Sequence, residues 1–247
     1  VIAPATGTVY LPHSIDARAG REPQPVAARR NPRGRPMIDL YTWSTPNGRK
    51  VSIMLEEVAL PYTVHAINIS KDEQFKPEFL AISPNNRIPA IVDRDNGLAI
   101  FESAAILMYL AEKTGKFWPT DQKVRWNTMQ WLMWQMGGVG PMLGQVHHFL
   151  RGNKGKAPYA EERYLKEAAR LYGVLDRQLA KSEYMAGDYG IADMATWPWI
   201  SRFEWQTMDL NQFPNVLRWY KAIAARPAVQ KGYQVPVAQP DGIPMPA

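Results

Sequence analysis

The rhythm of apolar and polar positions changes twice along this chain. Residues 1–36 show no period, short apolar and alternating runs begin at Met37, and from Val124 onward only the helical period remains. In the middle stretch the pattern predicts a strand over 38–42, a helix over 48–59 and a second strand over 62–69. Two strands joined by a helix of this length run parallel. A polar loop over 70–78 and an irregular helix and loop over 79–87 follow. Apolar runs at 88–92 and 98–101 then flank Asp93-Arg94-Asp95-Asn96-Gly97, and Asn-Gly in that position signals a hairpin. A helix over 103–114 is stopped by Gly115.

These elements make a βαβ unit followed by ββα, hence a small α/β domain with a mixed four-stranded sheet over 37–115. Residues 116–123 read as a linker and 124–233 as an all-helical domain. Its first segment extends to about residue 150 and is expected to kink or break at Gly137-Gly138 and Gly140-Pro141. Further helices are expected over 159–181, 193–208 and 216–225. Residues 234–247 carry four prolines and read as a tail.

Composition narrows the function. None of the 247 residues is cysteine, so thiol chemistry must use a thiol brought in by a ligand. The net charge of +6 sits mostly at the front. Residues 1–36 hold six Arg, no Lys, Asp16 and Glu22, a balance of +4, and six prolines that favour an extended or disordered arm. The remaining +2 is interspersed along helices as a solvated surface, with no footprint for nucleic acid. The longest apolar run, 104–111, is far short of the roughly 20 residues needed to cross a bilayer. The arm has neither a secretory core nor a twin-arginine pattern, so a cytoplasmic location is the default expectation.

The candidate chemistry lies where the first strand enters the first helix, at Thr45-Pro46-Asn47-Gly48. A helix N-terminus offers unpaired N–H donors and about half a positive charge, and it favours an anion such as a thiolate. These are also ordinary turn residues, so the turn alone leaves both readings open. Glu102-Ser103 sits at a second strand-to-helix junction, where the same two readings, a ligand site or a simple cap, apply. Adjacent His147 and His148 point about 100° apart on a helix and cannot share a metal, so none is expected. Trp126, Trp131, Trp134, Met129, Met133 and Met136 recur at helical spacing and read as core or dimer surface before an acceptor pocket.

Several separated strings resemble one family in order: YTWSTPNGRK, EEVALPY, QFKPEFLAISPNNRIPAIVD, FESAAILMYLAEKTG, WLMWQMGGVGPMLGQ and IADMATWPW. They are similar to glutathione transferases, and most of all to the bacterial Nu-class (Ure2p-like) members. The resemblance implies a thioredoxin-like N-terminal domain followed by an all-α domain. It implies a cytoplasmic homodimer using glutathione as co-substrate, up to two molecules per subunit. By resemblance Thr45 and Asn47 stabilise the glutathione thiolate. Arg87 belongs to the glutathione site, the Ile88 backbone beside a cis-Pro89 meets the cysteinyl part, Glu102 and Ser103 the γ-glutamyl end, Gln74 the tripeptide backbone and Arg163 a carboxylate. An exposed Arg163 beside two glutamates reads equally as charged surface. Tyr41 is a rival thiol donor, but its place in the strand argues for packing in the sheet.

The implied reaction is reduction of a small disulfide, or attack on an electrophilic carbon. Cleavage of a β-aryl ether or release from a glutathione conjugate is the alternative chemistry, with an aromatic electrophile as partner. A regulator that keeps the fold without catalysis is a further alternative. In one respect the chain departs from the family: Gly190 stands where Ser or Thr commonly caps the central helix, with Asp193 left to bond back to the Gly190 N–H.

Overall fold

A computed structural model describes residues 37–246. The expected arm over 1–36 lies outside the described residues. Strand β1 (Ile38–Thr42) leads into helix α1 (Pro46–Val58), and β2 (Tyr62–Ala66) returns parallel to β1 with Ile38 opposite Tyr62. After two 3₁₀ turns and the short α2 (Pro77–Leu80), β3 (Ala90–Asp93) and β4 (Leu98–Phe101) form an antiparallel hairpin. The sheet order is β2-β1-β3-β4, mixed as expected. The hairpin uses a four-residue loop, Arg94 to Gly97, with the Gly97 N–H donating to the Asp93 carbonyl at 2.7 Å and only Gly97 at positive φ. Asn-Gly therefore marks the hairpin without forming a two-residue turn. Helix α3 (Ser103–Thr114) ends at Gly115, whose φ of 67° is the left-handed stop.

The second half contains α4 (Gln122–Trp134), α5 (Gly140–Val146), α6 (Pro158–Leu179), α7 (Ile191–Ile200), α8 (Pro214–Ala224) and α9 (Pro227–Tyr233). Of the kink or break expected at the glycines, the helix does not break, but it does leave the α form there. Residues Gln135–Val139 widen into a π-helical turn that joins α4 to α5 without interruption, and the Gly140 N–H bonds to the Gln135 carbonyl. Widening the coil there accommodates Pro141, which has no N–H to give. Helix α7 stops at Ile200, eight residues short of the expected end, and a 3₁₀ turn, Phe203–Gln206, follows. Helix α9 lies beyond the last helix that the periodicity predicts. Its backbone lies against α1, and the Ser52 hydroxyl donates to the Gly232 carbonyl at 2.7 Å.

One continuous core joins the two halves. Leu40 and Ile91 from the sheet, Val51, Met54 and Leu55 from α1, and Trp197, Trp219 and Tyr220 from the bundle are all fully buried. Each large apolar side chain removed from water contributes about 1.5–3 kcal/mol. Helix α1 packs on α3, α7 and α9 at once, so it has almost no solvent face. For that reason Arg49 and Lys50, which charge patterning assigns to a solvated surface, are both 0% exposed. The Arg49 Nε donates to the Tyr233 carbonyl at 3.3 Å, and its guanidinium stacks 3.6 Å above the Tyr233 ring. Burial draws its pKa down to about 10 against the opposing field of Tyr233.

Asp193 anchors the start of α7 as expected and does more besides. It accepts from the N–H of Gly190 at 3.1 Å, from the Met185 N–H at 3.0 Å and from Trp219 Nε1 at 2.7 Å. Gly190 thus costs only the side-chain half of the cap.

Candidate active site

The β1–α1 turn is built by close packing. Gly48 is the third residue of α1, and a Cβ on it would lie 2.2 Å from the Trp43 carbonyl oxygen and 2.5 Å from Thr42 Oγ1. Only glycine lets the strand fold back so tightly on the helix it feeds. The sequence pattern opens the helix at Gly48; it begins two residues earlier, because Pro46 at the first position has its φ preset for a helix. Thr45 is the N-cap, extended at φ −115° and ψ 163°, and its Oγ1 accepts from the Gly48 N–H at 3.2 Å. An oxygen that accepts the cap bond still carries its own proton, which it can donate to a ligand. Asn47 Oδ1 accepts from Trp199 Nε1 at 3.0 Å, an arrangement that leaves the Asn47 NH₂ group to donate elsewhere.

Asn47 lines a cavity of about 860 Å³ between the sheet domain and the helical bundle. Arg87, Ile88 and Pro89 face it from the loop before β3, and Glu102 and Ser103 from the head of α3. The Ile88–Pro89 bond is cis, and the β1–β3 register begins at Ala90, so the Ile88 peptide stands outside the ladder. Glu102 occupies φ 68° and ψ 113°, a conformation rare for a residue with a side chain. Strain of this kind costs about 1–3 kcal/mol and collects at binding sites. Ser103 is the first residue of α3, so its N–H belongs to the unpaired set at that helix end. The N-termini of two helices therefore meet one cavity, which suits a ligand carrying two anionic groups.

Other expected residues fall elsewhere. Thr45 is half-buried and does not itself line the cavity; Asn47, two residues on, does. Gln74 lies in a 3₁₀ turn, 7% exposed, with Nε2 3.4 Å from Asp72 Oδ1 and its Oε1 buried without a partner. It does not reach the cavity. Arg163 belongs to a separate groove of about 550 Å³ along α6, with Met142 and Tyr159. Its neighbours Lys166 and Arg170 pair with Glu162 and Glu167. Tyr41 stacks on His65 at 4.6 Å, in keeping with packing on the sheet.

The structure adds Lys50, Gln135 and Trp199, which the sequence pattern does not single out, to the cavity lining, and it places Met136, Gly140 and His148 there as well, Met136 in keeping with the second of its two readings. Lys50 stands inside the TPNGRK string, where charge patterning reads it as one more solvated helix charge. Gln135 and Met136 lie in the π turn, a local change of helical period that the 3.6-residue pattern does not register. The two histidines part company. His148 faces the cavity, while His147 stacks on Trp199 and sits 3.1 Å from Gln206 Nε2. Burial, reinforced by Arg202 and Arg151, lowers the His147 pKa to about 4 and keeps it neutral. Among the described residues no group of three His, Cys, Asp or Glu is arranged to hold a metal.

A mixed four-stranded thioredoxin-like domain with an interdomain cavity at two helix N-termini, continued by a helical bundle, defines the class. The chain belongs to the glutathione S-transferase family: the family's N-terminal domain matches residues 45–113 and its C-terminal domain residues 139–227. Among its relatives is the Disulfide-bond oxidoreductase YfcG of Escherichia coli (strain K12), 51% identical over 198 residues, which cover 78% of this chain and 92% of that protein. The Disulfide-bond oxidoreductase YghU of the same organism is 39% identical, covering 84% and 78%. A glutathione transferase from Pseudomonas putida, solved with one glutathione disulfide bound per subunit, superposes with a TM-score of 0.77 at 46% identity, covering 81% of this chain and 92% of that one. A Burkholderia graminis glutathione transferase, solved with two glutathione molecules per subunit, gives 0.76 at 44% identity, covering 81% and 89%.

Proposed function

We propose that this chain is a glutathione-dependent disulfide-bond reductase of the Nu-like type. The observation that carries the reading is the cavity between the α1 and α3 N-termini, with Asn47, the Ile88 peptide and Ser103 on its walls. Relatives solved with glutathione disulfide or with two glutathiones support it. Glutathione lies with its γ-glutamyl carboxylate at Ser103, its ammonium at Glu102 and its cysteinyl amide on the Ile88 backbone beside Arg87. Its sulfur rests at the α1 terminus, where Asn47 donates from the cavity wall and Thr45, which caps the same helix end without lining the cavity, donates its hydroxyl proton to a thiolate seated against that end.

The thiolate attacks one sulfur of a small disulfide, a mixed disulfide forms, and the other sulfur leaves as a thiolate. A second glutathione attacks the mixed disulfide, releasing glutathione disulfide and the second thiol. Since the chain contains no cysteine, both reducing thiols are glutathione's. Gln74 and Arg163 lie outside this cavity, and a part for either comes from a second ligand or a second subunit. The enzyme works as a cytoplasmic homodimer. Exposed Trp126 and Met133 on α4 and Leu98 on the edge strand offer apolar surface to the partner. Among the described residues no helix is long and apolar enough to cross a membrane.

Steady-state turnover with glutathione, measured in parallel on a small disulfide and a model β-aryl ether, tests the reading. Disulfide turnover alone is expected. Ether cleavage alone would move the function to aromatic substrates, and glutathione binding without turnover of either would favour a regulator.

A further inference from the structure

Lys50 takes no part in the chemistry described above, yet it occupies a central place in the cavity wall. Its ammonium is fully buried, and its three hydrogen-bond partners are neutral and all line the cavity. Gln135 Oε1 accepts at 2.7 Å, Ser103 Oγ at 3.2 Å and Met136 Sδ at 3.4 Å. Each of the first two bonds fixes a donor. Ser103 Oγ accepts from Lys50, and its own proton goes only to a weak donation to Met136 Sδ at 3.6 Å, a contact that an anionic ligand oxygen outcompetes. Gln135, held by its oxygen, leaves Nε2 buried and without a partner. A Cβ at position 140 would come within 3.0 Å of that nitrogen, so glycine there keeps the approach open.

We propose that Lys50 is a positioning residue for glutathione: through Ser103 and Gln135 it presents two polarised donors to the anionic end of the tripeptide, and its buried charge makes the site select an anion. The inference rests on the glutathione reading of the cavity. A proton linkage follows from the same geometry. Burial lowers the Lys50 pKa to about 7, with Glu102 pulling upward. The charged groups around it are Glu102 at the head of α3 and, on the same cavity wall, Arg87; His148 faces the cavity from the turn after α5. On its own helix Arg49 is directed to Tyr233 instead. A carboxylate placed against Ser103 favours the ammonium, so binding at neutral and mildly alkaline pH takes up a proton.

Calorimetric titration with S-methylglutathione, whose blocked thiol cannot ionise, isolates this proton. In two buffers of different ionisation enthalpy at about pH 8, uptake of more than about half a proton per subunit is expected. Lys50→Met should abolish that uptake and weaken binding by about 10- to 100-fold, as loss of a charge-assisted contact does. In a Ser103→Ala background the same change should weaken binding by less than it does in the wild type, because the part of the Lys50 effect that passes through Ser103 is already lost and only the part through Gln135 and the buried charge remains. Wild-type affinity in Lys50→Met, unchanged proton uptake, or full additivity with Ser103→Ala would each overturn the inference while leaving the glutathione reading intact. Should Lys50→Met fail to fold, the wild-type proton count decides, and zero uptake overturns the proposal. A wild-type protein that binds neither glutathione nor its S-methyl derivative overturns both readings together.

Discussion

Thr45→Ala separates two contributions that one hydroxyl makes. As N-cap, Thr45 Oγ1 satisfies the Gly48 N–H at 3.2 Å, and its removal costs about 1 kcal/mol of stability. As donor to the glutathione thiolate it supplies a charge-assisted bond of about 1.5–3 kcal/mol. At about 1.4 kcal/mol per pKa unit, losing that bond raises the bound thiol pKa by about one to two units. The helix-end contribution of about 0.3–1 kcal/mol stays in place, so activation is reduced and not abolished. Ultraviolet absorbance of the thiolate in the binary complex, followed against pH, measures the shift directly. Turnover at neutral pH should fall about 10- to 100-fold in step with the thiolate fraction. Glutathione affinity should change little, because the γ-glutamyl and cysteinyl contacts lie elsewhere. Thr45→Ser keeps both contributions and should titrate like the wild type. An alanine variant whose bound thiol titrates at the wild-type pH would refute the reasoning and pass activation to Asn47 or the helix end alone.

Three further outcomes are expected. Gly48→Ala drives a Cβ into the Trp43 carbonyl and should cost about 1–3 kcal/mol or more in urea unfolding, with weaker glutathione binding; an unchanged midpoint would contradict the tight turn. Asp193→Ala orphans the N–H donors of Met185, Gly190 and Trp219 and should lose at least about 3 kcal/mol, whereas Asp193→Asn, which keeps one acceptor oxygen, should lose less; equal losses would show that the carboxylate's bonds are not what matters. Asp39 is bonded by Arg94 at 2.6 and 2.5 Å and by His65 at 2.7 Å, and the Arg94 bonds hold its pKa below the usual carboxylate range. Its contribution is complete above the unfolded pKa of about 3.9 and disappears as pH falls through the lower folded value, so Asp39→Asn should flatten the acid limb of the stability curve. A limb of unchanged slope would show that other groups set it.

Local signals decided most of the N-terminal domain. Strand β1 and the Leu98–Phe101 strand fall where apolar runs placed them, and Gly115 ends α3, because backbone preference and a single buried face act within a few residues. The Thr45 to Gly48 turn is legible because Thr45 caps its helix; the Glu102-Ser103 junction is legible only as a change from strand to helix, since Glu102 takes the N-cap position without a side-chain cap bond and Ser103 is already the first residue of α3. The string resemblance supplied what local physics could not, above all the cis bond at Pro89, since backbone preference alone favours trans.

Only the tertiary structure decided which polar residues meet. Lys50 and Arg49 read as solvated charges because the sequence shows one helix at a time; α1 is buried by α3, α7 and α9, which arrive from 50 to 180 residues further along. Gln135 lines the cavity where the helix bundle meets the sheet domain, and the splitting of His147 from His148 depends on where Trp199 and Gln206 come to rest. Gln74 and Arg163 carry the right residue types, yet they sit in other environments of this chain. Sequence specifies element type through short-range preference and periodicity. The composition of a cavity between two domains is set by long-range packing, and that is where the buried ammonium of Lys50 was found.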